Sequence, residues 1–155
     1  MTKWLSASEM RGWRAFAEVN GHLFAAFEAD LAPHGLSLGD YEVLVVLSEA
    51  PDQRLRMCDV SERLGLSPSG LTRRLDGLVK AGHVRREPST VDRRVMLATL
   101  TPSGRDALQR AVGDHVDSVR RHLVDLLTPE QIDALGDIFT AVGQHLGRVL
   151  SVAVV

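Results

Sequence analysis

The sequence has a single cysteine, Cys58, and no long apolar run. One thiol excludes an internal disulfide framework and fits a reducing cytosol, although it leaves a disulfide between subunits open. No apolar segment reaches the roughly 18–20 residues that a bilayer-spanning helix requires. The N-terminal residues lack the apolar core of a secretory signal. We therefore expect a cytoplasmic globular protein with no membrane partner.

Residues that would make a metal or catalytic centre are also scarce. None of the six histidines lies three or four positions from another, so no two share one helical face closely enough to hold an ion. Segment 65–72 has the spacing of a phosphate-binding loop, but Leu71 stands where the lysine is required. We therefore predict no metal, no cofactor and no enzymatic activity.

Positive charge is concentrated in one part of the chain. Between Arg54 and Arg94 there are ten Lys or Arg residues and five Asp or Glu residues, for a net charge of +5. The whole chain carries −2, so the remainder carries −7. A basic patch attracts a polyanion whatever the overall charge, so this segment predicts nucleic-acid binding.

The pattern inside the basic segment is typical of a winged helix-turn-helix. A short helix is followed by Ser67-Pro68, in which the serine caps a second helix and the proline fills its first turn. This second helix is predicted over about 67–81. Strands are predicted at 84–87 and 95–100, and the turn between them carries Asp92-Arg93-Arg94.

Long amphipathic helices are predicted on both sides of this segment. The spacing of Ser6 and Glu9 predicts a capping box before a helix over about 7–32, and Ser37 and Asp40 repeat that spacing before a second helix that ends before Pro51. Two further helices follow Thr101-Pro102 and Thr128-Pro129, and the first of them is lined by apolar residues as far as Leu126. The fold class is therefore mostly α with a small β-hairpin wing (α+β). We divide it into an N-terminal dimerisation helix (1–36), a DNA-binding domain (37–100) and C-terminal dimerisation helices (101–155).

The terminal helices carry more apolar residues than a small winged helix can cover. Trp4, Leu5 and the segment 152–155 are examples. A second subunit would bury them, and a dimer with two-fold symmetry matches a DNA site made of two symmetric half-sites. The sequence therefore predicts a homodimer.

The second helix of the motif has one apolar and one polar face. Leu71, Leu75, Leu78 and Val79 share the apolar face. Small residues let a helix approach the major groove closely, arginine pairs with guanine, and a narrow minor groove attracts arginine from a wing. The predicted DNA contacts are Ser67, Ser69, Gly70, Thr72, Arg73, Arg74, Arg86, Asp92, Arg93 and Arg94. Asp92 is expected to orient Arg73 or its neighbour rather than to face a phosphate.

Five segments together carry a resemblance to a known family. They are Leu55–Ser67, Leu71–Leu78, Gly82–Arg86, the wing motif Asp92–Arg94 and the helix start Leu100–Gly104. Over nearly its whole length the chain resembles the MarR family of bacterial winged-helix transcription regulators. The resemblance implies a homodimer that binds a pseudo-palindromic operator in double-stranded DNA, commonly as a repressor.

The resemblance also implies that small ligands, often aromatic, bind between the dimer helices and the DNA-binding lobe. The candidate ligand-binding residues here are Trp13, Phe16, His22, Tyr41, His115 and Arg120. Two alternatives stay open. A winged helix can serve as a protein–protein interaction module, and Cys58 near a helix start can make the regulator respond to oxidants.

Overall fold

The structure is a computed structural model, and it describes residues 1–147. Within this range the fold is mostly helical with one small antiparallel sheet, as predicted. The helices are α1 (Ala7–Leu31), α2 (Leu38–Ser48), α3 (Met57–Leu64), α4 (Pro68–Lys80), α5 (Pro102–His122) and α6 (Pro129–His145). The strands are β1 (Arg54–Arg56), β2 (Val84–Pro88) and β3 (Met96–Leu100). The predicted apolar tail at 152–155 lies outside the described residues.

The predicted capping positions set where the helices begin. Ser6, Ser37 and Thr128 each accept a hydrogen bond from the backbone N–H three residues later, and each forms a complete capping box. Ser67 caps α4 in the same way, with Pro68 in the first turn. One boundary was predicted wrongly: α5 ends at His122, and a short 3₁₀ turn follows at Val124–Leu126.

The wing contains a third strand that the sequence analysis missed. β1 pairs antiparallel with β3, which gives the strand order β1-β3-β2. Arg54 lies opposite Thr99, and Arg56 lies opposite Leu97. Three residues are too few for an alternating pattern to stand out. The strand forms because β3, more than forty positions away, offers its free edge.

The core lies between α2, α4, the sheet and the first half of α5. Leu44 and Leu47 are completely buried there, and Leu71, Leu75 and Leu78 of α4 are at most 2% exposed. Burying each leucine contributes roughly 1.5–3 kcal/mol to stability, so this face holds α4 against α2 and the sheet. Val79 was predicted on the same face but is 39% exposed.

A polar cluster fastens the end of α1 to α5. The carboxylate of Asp30 accepts hydrogen bonds from Ser118 Oγ at 2.6 Å and Arg121 Nη2 at 2.7 Å, and lies 3.0 Å from His122 Nε2. The hydrogen bonds from Ser118 and Arg121 lower the pKa of Asp30 to about 2. The C-terminal end of α1 is therefore held against α5 by a charged carboxylate.

Among residues 1–147, no helix combines the length and the apolar character that a bilayer crossing requires.

Candidate nucleic-acid interface

The N-terminal half of α4 presents a short polar face to solvent. Ser67, Ser69, Thr72 and Arg73 are exposed. The Thr72 hydroxyl donates to the Pro68 carbonyl at 2.9 Å, so its oxygen remains available only as an acceptor. With the leucine face buried behind it, this surface can enter a groove without exposing the core.

Two neighbouring arginines of α4 have different surroundings, although both were predicted to contact DNA. Arg73 is exposed and makes no hydrogen bond or ion pair within residues 1–147. Arg74 is half-buried, and its guanidinium lies against Gly39 in the first turn of α2. Arg73 is therefore free to bind an external anion, whereas Arg74 already has a place inside the subunit.

Arg86, also predicted as a DNA contact, directs its guanidinium toward α4. Nη1 donates to Asp76 Oδ1 at 2.7 Å, and Nη2 donates to the Thr72 carbonyl at 2.7 Å. Its Nε is buried without a partner among the described residues. Arg86 thus joins the base of the wing to α4, and a contact of this residue with DNA stays a prediction.

The expected pairing of Asp92 with an arginine side chain is wrong. Its carboxylate accepts the backbone N–H of Arg94 at 3.0 Å, while the Ser89 hydroxyl accepts the N–H of Val91 at 3.2 Å. Aspartate commonly bonds the backbone two residues on, so the Asp92 carboxylate is engaged within its own turn. Asp92 therefore shapes the wing tip, where Arg93 and Arg94 are exposed.

A cavity of about 370 Å³ lies among α1, α2, α3 and α5, and Arg63 of α3 is one of its lining residues. Tyr41 and His115 both line it, and their ring centroids are 4.4 Å apart. Phe24, Phe27 and Glu42 complete much of the wall. The sequence analysis missed these three, although Glu42 is an isolated acid within the apolar segment 41–47.

The other four predicted ligand residues lie elsewhere. Trp13, Phe16, His22 and Arg120 do not line this cavity. Phe16 packs between Trp13 and Phe139, with centroid distances of 6.1 and 5.9 Å, on an exposed face. Arg120 forms an ion pair with Asp125 at 2.5 Å.

Burial favours the neutral forms of three groups that line the cavity, Tyr41, His115 and Glu42. It raises the pKa of Tyr41 and lowers the pKa of His115. Burial also raises the pKa of Glu42, an effect opposed by the positive charge of Arg74 and reinforced by Glu28. Nδ1 of His115 is buried without a hydrogen-bond partner in the described part of the chain. The cavity therefore suits an apolar ring that carries a hydrogen-bonding group.

A broad apolar surface is formed by residues just before α1, by the N-terminal half of α1 and by the C-terminal half of α6 with the residue that follows it. In α6 as described, only Gly143 is buried. The exposed large apolar residues of this surface, which we call the terminal face, are Trp4, Leu5, Trp13, Phe16, Val19, Ile138, Phe139, Val142 and Leu146. A surface of this kind marks a site of association.

Cys58 lies in the first turn of α3 and is exposed. Its Sγ is 3.5 Å from Asp59 Oδ1, and Arg56 rather than Cys58 occupies the capping position. The thiol borders an open cavity of about 430 Å³ between α3 and α4. Cys58 therefore has no capping role.

The two-helix motif, the buried back of α4 and the three-stranded wing define a winged helix-turn-helix protein. The model of the MarR family matches residues 34–95. The chain is similar to AbsC, a MarR family transcriptional regulator from Streptomyces coelicolor, with 40% identity, coverage of 94% of this chain and 98% of AbsC, and a TM-score of 0.89. The chain belongs to the MarR family of transcriptional regulators.

Two further relatives add detail. Another MarR family regulator from Streptomyces coelicolor, solved in complex with DNA, is 36% identical, with coverage of 94% of this chain and 92% of its own and a TM-score of 0.90. The transcriptional repressor YetL from Bacillus subtilis is 25% identical over 87% of this chain and 83% of YetL.

Proposed function

We propose that this protein is a homodimeric repressor that binds a pseudo-palindromic operator and is released from it by a small aromatic ligand. The observation that carries the proposal is the exposed Arg73, which has no partner among the described residues, on a helix whose back face is buried, together with the exposed Arg93 and Arg94 at the wing tip. The similarity to a regulator solved in complex with DNA supports it, as does the similarity to a repressor.

In this proposal α4 enters the major groove and the wing reaches the adjacent minor groove. Ser67, Ser69 and Gly70 allow close approach at the start of α4, and Arg73 reads a base or binds a phosphate. Arg93 or Arg94 inserts into a narrow minor groove. Arg86 also supports the interface by holding α4, and Asp92 supports it by shaping the wing tip.

The terminal face supplies the dimer contact. Its apolar residues lie on α1 and α6, away from the basic segment, so two subunits can associate without covering α4. A two-fold dimer presents two recognition helices to two half-sites about one helical turn apart. We accordingly assign dimerisation to 1–36 and 101–155 and DNA binding to 37–100.

Replacing Arg93 with alanine tests the DNA interface. Loss of a groove-inserted arginine should cost about 1–3 kcal/mol per subunit, and loss of a phosphate contact should reduce the salt slope by about 0.9 per subunit. Fluorescence anisotropy with an operator obtained by random-sequence selection measures both quantities. Arg120→Ala is the matched control, because it removes an arginine paired with Asp125 and should leave binding unchanged. Equal affinities of Arg93→Ala and wild type would remove the wing from the interface.

The cavity at Tyr41 and His115 is the proposed ligand site. A panel of hydroxybenzoic and hydroxycinnamic acids should include a compound that lowers operator affinity by at least about tenfold, since a ligand shifts binding only when it favours one conformer. His115→Phe should abolish that response by removing the unpaired Nδ1, while binding without the compound persists. A panel without any effect on operator affinity would refute release by aromatic acids.

The two alternatives have less support. A protein–protein module would carry apolar or acidic groups where α4 exposes Ser69, Arg73 and Lys80. A redox response through Cys58 rests on one exposed thiol near α4.

A further inference from the structure

The side chain of Arg74 extends from α4, the proposed recognition helix, to α2, which forms part of the cavity wall. Its guanidinium occupies the space that a side chain at position 39 would fill. Gly39 is buried in the first turn of α2 and does not have a positive φ. The backbone therefore does not require glycine here, but a side chain at this position would push the flexible Arg74 guanidinium out of its place.

Glu42 connects this contact with the cavity. It lies three residues after Gly39, so both belong to one face of α2. Glu42 also lines the cavity beside Tyr41 and His115. The positive charge of Arg74 acts on the Glu42 carboxyl and opposes the effect of burial on its pKa. The Glu42 carboxyl in the cavity wall is thus electrostatically coupled to the Arg74 guanidinium on α4.

We propose that Arg74 is a positioning residue that couples the cavity to the recognition helix by docking on Gly39 beside Glu42. It does not bind DNA directly, in contrast to Arg73 one position earlier. This inference rests on the proposed DNA binding and ligand release. A ligand bound beside Glu42 changes the electrostatic potential and the free volume around the Arg74 guanidinium. The resulting shift of Arg74 moves α4, and with it the residues that contact DNA.

A double-mutant cycle distinguishes coupling from DNA contact. Arg74→Gln should lower operator affinity about tenfold without changing the salt slope, because no phosphate contact is lost. The double variant Arg74→Gln/Glu42→Gln should be no weaker than Arg74→Gln, since both changes break one interaction. Arg73→Gln is the matched control for a direct contact: it should either reduce the salt slope by about 1 per subunit, if Arg73 binds a phosphate, or relax specificity at one base pair, if it reads a base. In both cases its effect should add independently to that of Glu42→Gln.

Gly39→Ala gives a second way to break the contact. The added methyl group displaces the guanidinium, so operator affinity should fall about as far as in Arg74→Gln, with no further loss when the two changes are combined. A salt slope that falls in Arg74→Gln as it does in Arg73→Gln would overturn the inference and leave the proposed function intact.

A measurement on the free protein tests the docking of Arg74 even if no operator sequence is found. In the ¹⁵N-arginine NMR spectrum of the full-length protein, the side-chain Nε–H of Arg74 should exchange with water at least tenfold more slowly than that of Arg73. Glu42→Gln should shift the Arg74 signal and leave the Arg73 signal in place. Equal exchange rates would show that Arg74 is not docked. Slow exchange in a protein that selects no DNA sequence would refute the proposed function and, with it, the coupling.

Discussion

The double substitution Ile138→Glu/Val142→Glu should convert the protein into a monomer and lower its operator affinity by roughly 10²–10⁴-fold. Ile138 and Val142 are 57% and 46% exposed and lie one turn apart on α6. In a monomer the new carboxylates face water at little cost, whereas in a dimer they would be buried without partners. A single recognition helix then binds one half-site and loses the effective concentration supplied by the other.

Sedimentation at micromolar concentration and anisotropy with the selected operator measure the two parts of this prediction. Gln144→Glu is the matched control, because it adds charge to the same helix on the side away from Ile138 and should change neither result. Circular dichroism should show the same helix content in all three proteins. A dimer that survives the double substitution would place the subunit contact outside α6.

Structural features that depend on residues close together in the sequence were predictable. The caps at Ser6, Ser37, Ser67 and Thr128 are as predicted, because each hydroxyl bonds a backbone N–H three residues away. The buried face of α4 follows equally from the spacing of its leucines.

Features decided by distant residues were not predictable in this way. β1 depends on the edge of β3, and the partners of Arg86 lie on α4, ten to fourteen positions away. Periodicity shows that a helix has an apolar face, but it does not show whether that face meets the same subunit or another. For this reason Phe16 and Trp13 were assigned to a ligand site, although they lie on the terminal face.

Gly104, the last residue of the Leu-Thr-x-x-Gly motif, shows why a glycine is needed where α5 begins. A Cβ at this position would overlap the backbone carbonyl of His83 and lie 2.8 Å from Leu100 Cδ1. Thr101 holds the same junction: its Oγ1 accepts the Gly104 N–H at 3.0 Å and donates to the Gly82 carbonyl at 2.7 Å. The start of α5 is therefore packed directly on the turn between α4 and β2.

Gly104→Ala should consequently destabilise the protein by about 3 kcal/mol, the upper range for overpacking, because a backbone carbonyl cannot rotate away as a side chain can. For a chain of this size the melting temperature should fall by roughly 6–12 °C. Gly113→Ala is the matched control: it lies in the same helix with nothing within 4 Å of the added methyl group. It should raise the melting temperature slightly, since alanine favours the helix by about 0.5–1 kcal/mol. Thermal unfolding followed by circular dichroism measures both variants, and equal melting temperatures would show that α5 is free to shift away from His83.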